Sequence, residues 1–484
     1  MRDFSTGLKR GVLLSILGVF GSAFMWLLGF KVVAFWMGPE GVGLFSQLRQ
    51  MAQAATLGAT FGGTNSVVQG LSERPSDVER SQFRAMAGRL IGVTGFGVTS
   101  LILIFAPSLT QFFLSSNAPN MVATVRWLSL AVLLNIGGTY ALAVLNGYRR
   151  FSFLALAQIG GPLALVIWLF VAWWLPLPSE PQLLAGSFIL CFGVTCAAGW
   201  IGLSRLPTDT SASVELTSMK VQQRIFLGFA VSNLIAALST TLALLLIRSW
   251  VIDVRGLAFA GLFDAGWTLT FNYTTLFLTA CNAIYLPLLT SAAGLEQQKR
   301  YVLRTAYLVL GASVLMCYGI VLAKEHLIAL LYSQQFQESE QVLMVLVIAV
   351  MFRGVSWVYG TMILATRSSR VLLVSDLALN LTLLAAIRYS LQHFGSLSAL
   401  SWAFVLPNFL YLVFVVEYAR HKNPLMLRRQ IWPLLTVGVA PLFYLALGSE
   451  KLQGAYSGMA VWFCVFIGLG TSCASFWAYR KVMP

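Results

Sequence analysis

Long runs of apolar residues limit the possible fold of this chain more than any other feature. A transmembrane helix needs about 20 consecutive, mostly apolar residues, because the hydrocarbon core of a bilayer is about 30 Å thick. The chain has fourteen such runs, at about residues 11–36, 44–70, 86–114, 122–148, 151–174, 183–204, 223–249, 258–290, 301–323, 341–366, 371–391, 396–419, 431–448 and 456–479. We therefore predict an all-α polytopic membrane protein of about 14 transmembrane helices.

The composition favours the same class, since 58% of the 484 residues are hydrophobic, 10% are charged and the mean hydropathy is +0.79. The last two runs are interrupted by Pro433, Pro441 and Gly458, so twelve crossings remain an alternative. Lys9 and Arg10 precede the first run, but no small-residue cleavage pattern follows it. We expect that run to be a helix and not a removed signal peptide.

Basic residues alternate from one connecting segment to the next. Of the 32 Lys and Arg residues, 23 fall in the segments on the side of the N-terminus, five on the opposite side and four inside apolar runs. This asymmetry places both termini in the cytoplasm, because cytoplasmic loops of membrane proteins carry an excess of Lys and Arg. The net charge of +15 is therefore explained by topology, and we expect no nucleic-acid partner.

A polar connection divides the chain into lobes. We predict an N-lobe at 1–204, a cytoplasmic linker at 205–222, a C-lobe at 223–420 and a C-terminal helix pair at 421–484. The tripeptide Gly-Leu-Phe at 43–45 recurs at 261–263, near the start of the second and of the eighth run. Structural repeats with the substrate between them are common in transporters, and this echo favours that design.

Four cations lie inside apolar runs: Lys31, Arg49, Arg126 and Arg353. An unpaired cation at that depth costs at least about 2.5 to 3.5 kcal/mol, so such residues usually face protein or water. We predict that they line a water-filled, positively charged cavity for an anion. For Lys31 and Arg126 the alternative is that the side chain reaches the membrane surface, and for Arg353 it is an ion pair with Asp264 or Asp376.

Polar residues form one stripe on each of two predicted helices. Steps of three or four residues connect Arg49, Gln53, Thr56, Thr60 and Thr64 on one, and Asp264, Thr268, Asn272, Thr275, Thr279 and Asn282 on the other. For the threonines we favour hydrogen bonds between helices over contact with a substrate. Our candidate substrate-binding residues are Lys31, Arg49, Gln53, Arg126, Arg248, Asn272 and Arg353.

Two carboxylates, Asp264 and Asp376, lie well inside apolar runs. A desolvated carboxylate can load and release a proton, so both are candidates for binding a coupling ion. The alternative is a permanent salt bridge with an arginine.

The sequence gives no sign of catalysis. It has no GxxxxGK[ST] loop, its three histidines have no metal-ligand spacing, and its six cysteines all lie in apolar runs. We expect neither an enzyme nor a bound metal or cofactor.

The segment KVVAFWMGPEGVGLFSQLRQ, from Lys31 to Gln50, resembles the opening of Wzx-type polysaccharide flippases, with a GPxGxG turn and a Gln/Arg-rich helix start. AIYLPLLTS at 283–291, followed by EQQKR, is similar to the end of the eighth span in that family. The resemblance implies the multidrug/oligosaccharidyl-lipid/polysaccharide exporter superfamily, with two six-helix lobes in a V around a central cationic cavity. It also implies that Lys31 and Arg49 receive a lipid pyrophosphate.

These observations predict a flippase of the bacterial inner membrane that moves undecaprenyl-pyrophosphate-linked oligosaccharide, such as an O-antigen, common-antigen, capsule or exopolysaccharide unit, to the outer leaflet by alternating access. One alternative is a multidrug or cation antiporter of the same superfamily. Another is a membrane-bound polysaccharide polymerase or ligase, although the outer segments are short and lack a catalytic pair. We expect a monomer whose partners are this lipid, membrane lipids and polysaccharide assembly enzymes.

Overall fold

The computed structural model describes residues 2–62, 65–72, 76–175, 180–206, 216–292, 294–366, 368–425, 431–448 and 455–482. These residues form helices and short connections and contain no β-strand, which confirms the predicted all-α class. The reason is that the hydrocarbon core offers no water, so each crossing segment must satisfy its own backbone hydrogen bonds. Most of the predicted linker, residues 207–215, lies outside the described residues.

The helices are α1 (Arg2–Ala59), α2 (Asn65–Ser72), α3 (Asp77–Ile104), α4 (Ala106–Leu114), α5 (Pro119–Gly147), α6 (Phe151–Trp174), α7 (Pro181–Ser204), α8 (Leu216–Trp267), α9 (Tyr273–Thr290), α10 (Leu295–Leu331), α11 (Ser339–Ala365), α12 (Ser369–His393), α13 (Leu397–Lys422), α14 (Trp432–Gly448) and α15 (Ala455–Lys481). A π-helical turn, Thr268–Asn272, joins α8 to α9, and a 3-10 turn, Gln334–Phe336, lies between α10 and α11.

Each of the fourteen predicted apolar runs falls mostly on these helices. Within the described ranges, nine helical segments are long and apolar enough to cross a bilayer, and α14 provides a shorter apolar helix. One of the nine, in α1, contains two predicted runs on either side of Gly38, whose φ of 63° interrupts the helix. The chain is therefore a multi-pass membrane protein, and the number of fourteen crossings stays a prediction.

The chain forms two compact units, Met1–Gly261 and Leu262–Pro484. In the first unit α5 packs mainly on α7, and α1 packs on α6. In the second unit α11 is the central helix, since it is almost entirely buried and packs on both α10 and α13. The lobe boundaries predicted from the linker stay a prediction.

Candidate functional site

Two glycine-containing segments of the first unit lie against each other. Gly38 interrupts α1 and Gly256 interrupts α8, each with a positive φ that favours glycine. Five residues after each break comes a second glycine, Gly43 or Gly261. A Cβ atom on Gly43 would lie 2.2 Å from a carbonyl oxygen of residue 257, and one on Gly261 would lie 1.9 Å from that of Pro39. The echo seen in the sequence thus marks a place where two backbones touch and only glycine fits.

Arg49 lies on α1 six residues after Gly43, and aromatic rings hold its side chain. The guanidinium carbon is 4.4 Å from the ring centroid of Trp26 and 5.7 Å from that of Phe30, within the range of cation–π attraction. These rings also contact Phe45, 6.2 and 5.1 Å between centroids, and Phe45 stacks on another ring at 4.8 Å. We call the set the first aromatic cluster; it consists of Trp26, Phe30, Phe45, Phe188 and Phe192.

Arg248, another predicted substrate-binding residue, is buried in the first unit with an exposed fraction of 9%. Its Nη1 atom donates a 2.9 Å hydrogen bond to Oε1 of Gln50, and Nε2 of Gln50 donates to the carbonyl oxygen of Thr241 at 3.1 Å. Gln50 therefore ties α1 to α8 through a charge-assisted hydrogen bond. Nearby, Gln47 donates to the carbonyl oxygen of Phe113 at 3.0 Å, which connects α1 to α4.

The other predicted site residues of the first unit are more accessible. Lys31 is half-buried, with its Nζ atom 5.9 Å from the ring centroid of Phe35. Gln53 and Arg126 are exposed. Neither Lys31 nor Arg126 forms an ion pair with a carboxylate of the described ranges. The assignment of Lys31, Gln53 and Arg126 to a substrate site stays a prediction.

In the second unit, Arg353, Tyr411 and Asp376 form a chain of contacts across α11, α13 and α12. The guanidinium carbon of Arg353 is 5.2 Å from the ring centroid of Tyr411, and the Tyr411 hydroxyl donates to Oδ1 of Asp376 at 2.6 Å. Arg353 makes no ion pair with Asp376 or Asp264, and its Nη1 atom is buried without a hydrogen-bond partner among the described residues. Tyr411 thus connects Arg353 to Asp376 through its ring and its hydroxyl, without a direct salt bridge between the two charged residues.

Asp264 precedes the π-helical turn of the second unit, and Asn272 is the last residue of that turn. Asp264 is 1% exposed, while Asn272 is half-buried and its Nδ2 atom lies 3.5 Å from the Thr268 hydroxyl. Because the turn adds a residue to the helical repeat, the predicted stripe does not continue on one face. Thr275 and Thr279 are exposed, and their hydroxyls donate to carbonyl oxygens of their own helix at 2.8 Å.

Two threonines of the predicted stripe, Thr56 and Thr60, form hydrogen bonds within the protein, and Thr64 lies outside the described residues. Asn135 of α5 donates a 2.9 Å hydrogen bond to the hydroxyl of Thr56, and the Thr60 hydroxyl donates to the carbonyl oxygen of Thr56 at 2.7 Å. Both contacts hold α1 in place and need no ligand.

Gln50, Tyr411 and the first aromatic cluster were missed in the sequence analysis. A signal existed for Gln50, because Ser-Gln-Leu-Arg-Gln at 46–50 places polar residues at the start of an apolar run. Nothing in the sequence pointed to a functional role of Tyr411, since a single tyrosine in an apolar run has many structural roles. Among the described residues, no group of three or more His, Cys, Asp or Glu side chains is placed to hold a metal.

This chain matches one known protein family. A family described as "Polysaccharide biosynthesis protein" matches residues 8–293, which is more than half of the 484 residues. The chain belongs to this family. A comparison with curated proteins finds no significant match.

Several solved structures share the fold. The lipid II flippase MurJ in an inward closed conformation is similar over 100% of both chains, with a TM-score of 0.66 and 12% sequence identity. An inward-facing multidrug resistance MATE transporter of the MOP superfamily is similar over 85% of this chain and 94% of its own, with a TM-score of 0.66 and 15% identity. This member of the polysaccharide biosynthesis family therefore has a fold that is found in both flippases and drug transporters.

A third similar structure is a MOP superfamily transporter from Pyrococcus furiosus, whose description states that a binding pocket of reversed polarity suggests a different function. It covers 86% of this chain and 95% of its own, with a TM-score of 0.58 and 13% identity. A shared fold does not by itself fix a function, so the charged residues of each chain must be considered individually.

Proposed function

We propose that this protein is a Wzx-type flippase, which moves an undecaprenyl-pyrophosphate-linked oligosaccharide from the inner to the outer leaflet of the bacterial inner membrane. Membership of the polysaccharide biosynthesis family supports a role in glycan assembly. The fold shared with a lipid II flippase supports movement of a lipid-linked sugar. An enzymatic role as a polymerase or ligase has no support in the family match or in these similarities.

The observation that carries the proposal is Arg353. Its guanidinium lies on a helix that is otherwise almost entirely buried and apolar, against the face of Tyr411 and with a buried Nη1 atom that has no partner in the described ranges. A buried cation there is energetically unfavourable unless it contacts an anion or water during the transport cycle. A pyrophosphate supplies the missing acceptor atoms and at least two negative charges.

Arg49 of the first unit is a second cation held by aromatic faces, Trp26 and Phe30. Such rings orient a guanidinium while leaving it positively charged. A cation about 4 Å from a phosphate charge contributes up to about 4 kcal/mol at an effective dielectric constant near 20. The prenyl chain stays in the bilayer throughout, since each methylene moved into water would cost about 0.8 kcal/mol.

The proposed cycle also needs an energy source. Asp264 is a candidate for binding a coupling ion because it is 1% exposed, and Asp376 is a second candidate because Tyr411 connects it to the cation Arg353. The asymmetric distribution of Lys and Arg supports an orientation with both termini in the cytoplasm. Further parts of the proposal are that the protein acts as a monomer and that polysaccharide assembly enzymes are its partners.

The test is reconstitution into liposomes with a fluorescent prenyl-pyrophosphate oligosaccharide, in which accessibility to a membrane-impermeant quencher reports translocation. We expect Arg353→Ala and Arg49→Ala each to reduce the rate at least tenfold, because one charge interaction of more than about 1.4 kcal/mol is lost. Arg353→Lys and Arg49→Lys should retain part of the rate, since the charge remains but the planar contact with the rings is lost.

The matched control is Arg370→Ala, which removes an exposed arginine from the beginning of α12. Its rate should equal that of the wild type. Normal translocation by both alanine variants would refute the headgroup role. If the protein instead exchanges a lipophilic cation for protons, and Asp264→Asn abolishes that exchange while the arginine variants do not, the multidrug antiporter alternative is correct.

A further inference from the structure

We propose that the first unit binds one anionic phospholipid of the membrane in a groove between α3, α5 and α7. The groove has a volume of about 460 Å³, within the usual size range of ligand sites. Arginines line one end, and glycines, aliphatic side chains and two aromatic rings line the rest. We call it the α3 groove; the residues used below are Arg84, Arg89, Gly92, Gly95, Tyr140 and Trp200.

The charged end of the groove fits a phosphate. Arg84 and Arg89 both line it, and neither forms an ion pair with a carboxylate of the described ranges, where Asp77 of the same helix is paired with Arg80. The Nη1 atom of Arg84 is buried and has no hydrogen-bond partner in the part of the chain that the structure describes. A buried guanidinium nitrogen without a hydrogen-bond acceptor is energetically unfavourable, and the phosphate of an anionic headgroup supplies such an acceptor.

The apolar part of the groove fits an acyl chain. Tyr140 donates to the backbone oxygen of Arg84 at 2.7 Å and packs near Trp200, with 6.2 Å between ring centroids, so these rings form a fixed wall. A Cβ atom on Gly88 would lie 2.9 Å from the Tyr140 hydroxyl, whereas one on Gly92 would meet nothing within 4 Å. The absent side chain at Gly92 therefore leaves open space in the groove.

The length of the groove matches one leaflet. Arg84 and Gly95 both line it and are 11 residues apart on α3, which corresponds to about 16 Å along the helix axis at 1.5 Å per residue. Half of the hydrocarbon core is about 15 Å thick. A single phospholipid with its phosphate at the arginines would thus place its chain along the glycines.

The exposed side of α3 supports a lipid occupant over a protein partner. Val93 and Phe96, which flank this part of the helix, are 73% and 68% exposed, as expected for side chains that face acyl chains. Clusters of basic residues in grooves between transmembrane helices, near the cytoplasmic surface, are a general means of binding anionic lipid headgroups. This inference does not depend on the proposed function, because it concerns binding and not transport.

The experiment is native mass spectrometry of the full-length protein in detergent, titrated with phosphatidylglycerol or with zwitterionic phosphatidylcholine. We expect the wild type to retain one phosphatidylglycerol and to bind phosphatidylcholine much more weakly. Arg84→Gln and Arg89→Gln should each weaken phosphatidylglycerol binding about fivefold. Gly92→Leu should also weaken binding, because the new side chain occupies the groove while both arginines remain.

Two matched controls use the same helix and the same kind of charge. Gly97→Leu adds a side chain to α3 at a glycine that does not line the groove and has open space around it, and Arg150→Gln removes an exposed arginine elsewhere. Both should bind like the wild type, and thermal melting of every variant should show a folded protein. The proposal is overturned if the controls weaken binding as much as the groove variants, if both lipids bind equally, or if an equimolar prenyl pyrophosphate displaces the phospholipid.

Discussion

The segment after Gly38 and the segment after Gly256 have the same backbone design but carry opposite charges. In each, a glycine with positive φ interrupts a helix, and a second glycine five residues later meets another backbone closely. Two residues after the second glycine comes a phenylalanine, Phe45 or Phe263, which packs against other aromatic rings. The charged residue that follows the glycine is Arg49 in one case and the buried Asp264 in the other.

This comparison separates packing from function. The glycines are required by close backbone approach, which any chain with this contact must satisfy. The charges are not required by packing, because each costs energy when it is removed from water. The difference between Arg49 and Asp264 is therefore where we expect the chemical roles of the two segments to differ.

The largest effect on stability should come from the glycines. Gly43→Ala and Gly261→Ala each place a Cβ atom about 2 Å from a carbonyl oxygen, so we expect a loss of about 1 to 3 kcal/mol from overpacking. Thermal melting followed by size-exclusion chromatography measures this loss. Gly58→Ala is the control, since its Cβ atom would meet nothing within 4 Å. If Gly43→Ala melts like Gly58→Ala, the backbones do not touch as described.

The next effect should come from the hydrogen bond that ties Arg248 to α1. Gln50→Leu removes one charge-assisted hydrogen bond of this buried guanidinium and should destabilise the first unit by about 1.5 to 3 kcal/mol. Gln53→Leu is the matched control, because it removes the same functional group from an exposed position on α1. Equal melting temperatures for the two variants would show that the bond contributes no stability.

A smaller effect should distinguish the first aromatic cluster from a second one, which consists of Phe263, Trp267, Phe271 and Phe404. Trp26→Leu removes the ring nearest to Arg49 and should slow translocation about five- to tenfold, as expected for a cation–π contact of about 1 kcal/mol. Phe404→Leu, in the cluster around Phe263, should lower thermal stability without a comparable change in rate. A similar loss of rate in both variants would mean that the clusters do not differ in function.

The smallest effect should be that of Tyr411→Phe. This change removes the hydrogen bond to Asp376 but keeps the ring over Arg353, so we expect a loss of about 0.6 kcal/mol, the average for hydrogen bonds in membrane proteins. The Phe variant should translocate more slowly only if Asp376 takes part in coupling, which a comparison with and without an imposed proton gradient measures. Tyr411→Leu, which also removes the ring, should be more harmful than Tyr411→Phe.

Much of this fold could be predicted from the sequence. Run length determined the helices, since a segment of about 20 apolar residues can cross a membrane only as a helix or within a closed barrel. Gly38 and Pro39 in the motif GPEGVG indicated a turn, and a helix break lies there. The π-helical turn at Thr268–Asn272 was not foreseen, because its sequence Thr-Leu-Thr-Phe-Asn follows the pattern of an ordinary helix.

The sequence by itself determined which residues are energetically expensive, because a charge within an apolar run costs energy wherever its partners lie. Only the tertiary structure decided how two of those charges are accommodated, Arg49 by two rings and Arg353 by Tyr411. It also decided that Arg248, which is not one of the four, is buried against Gln50, 198 residues away. The physical reason is that such contacts act over a few ångströms between residues far apart in the chain, where local periodicity carries no information about partners.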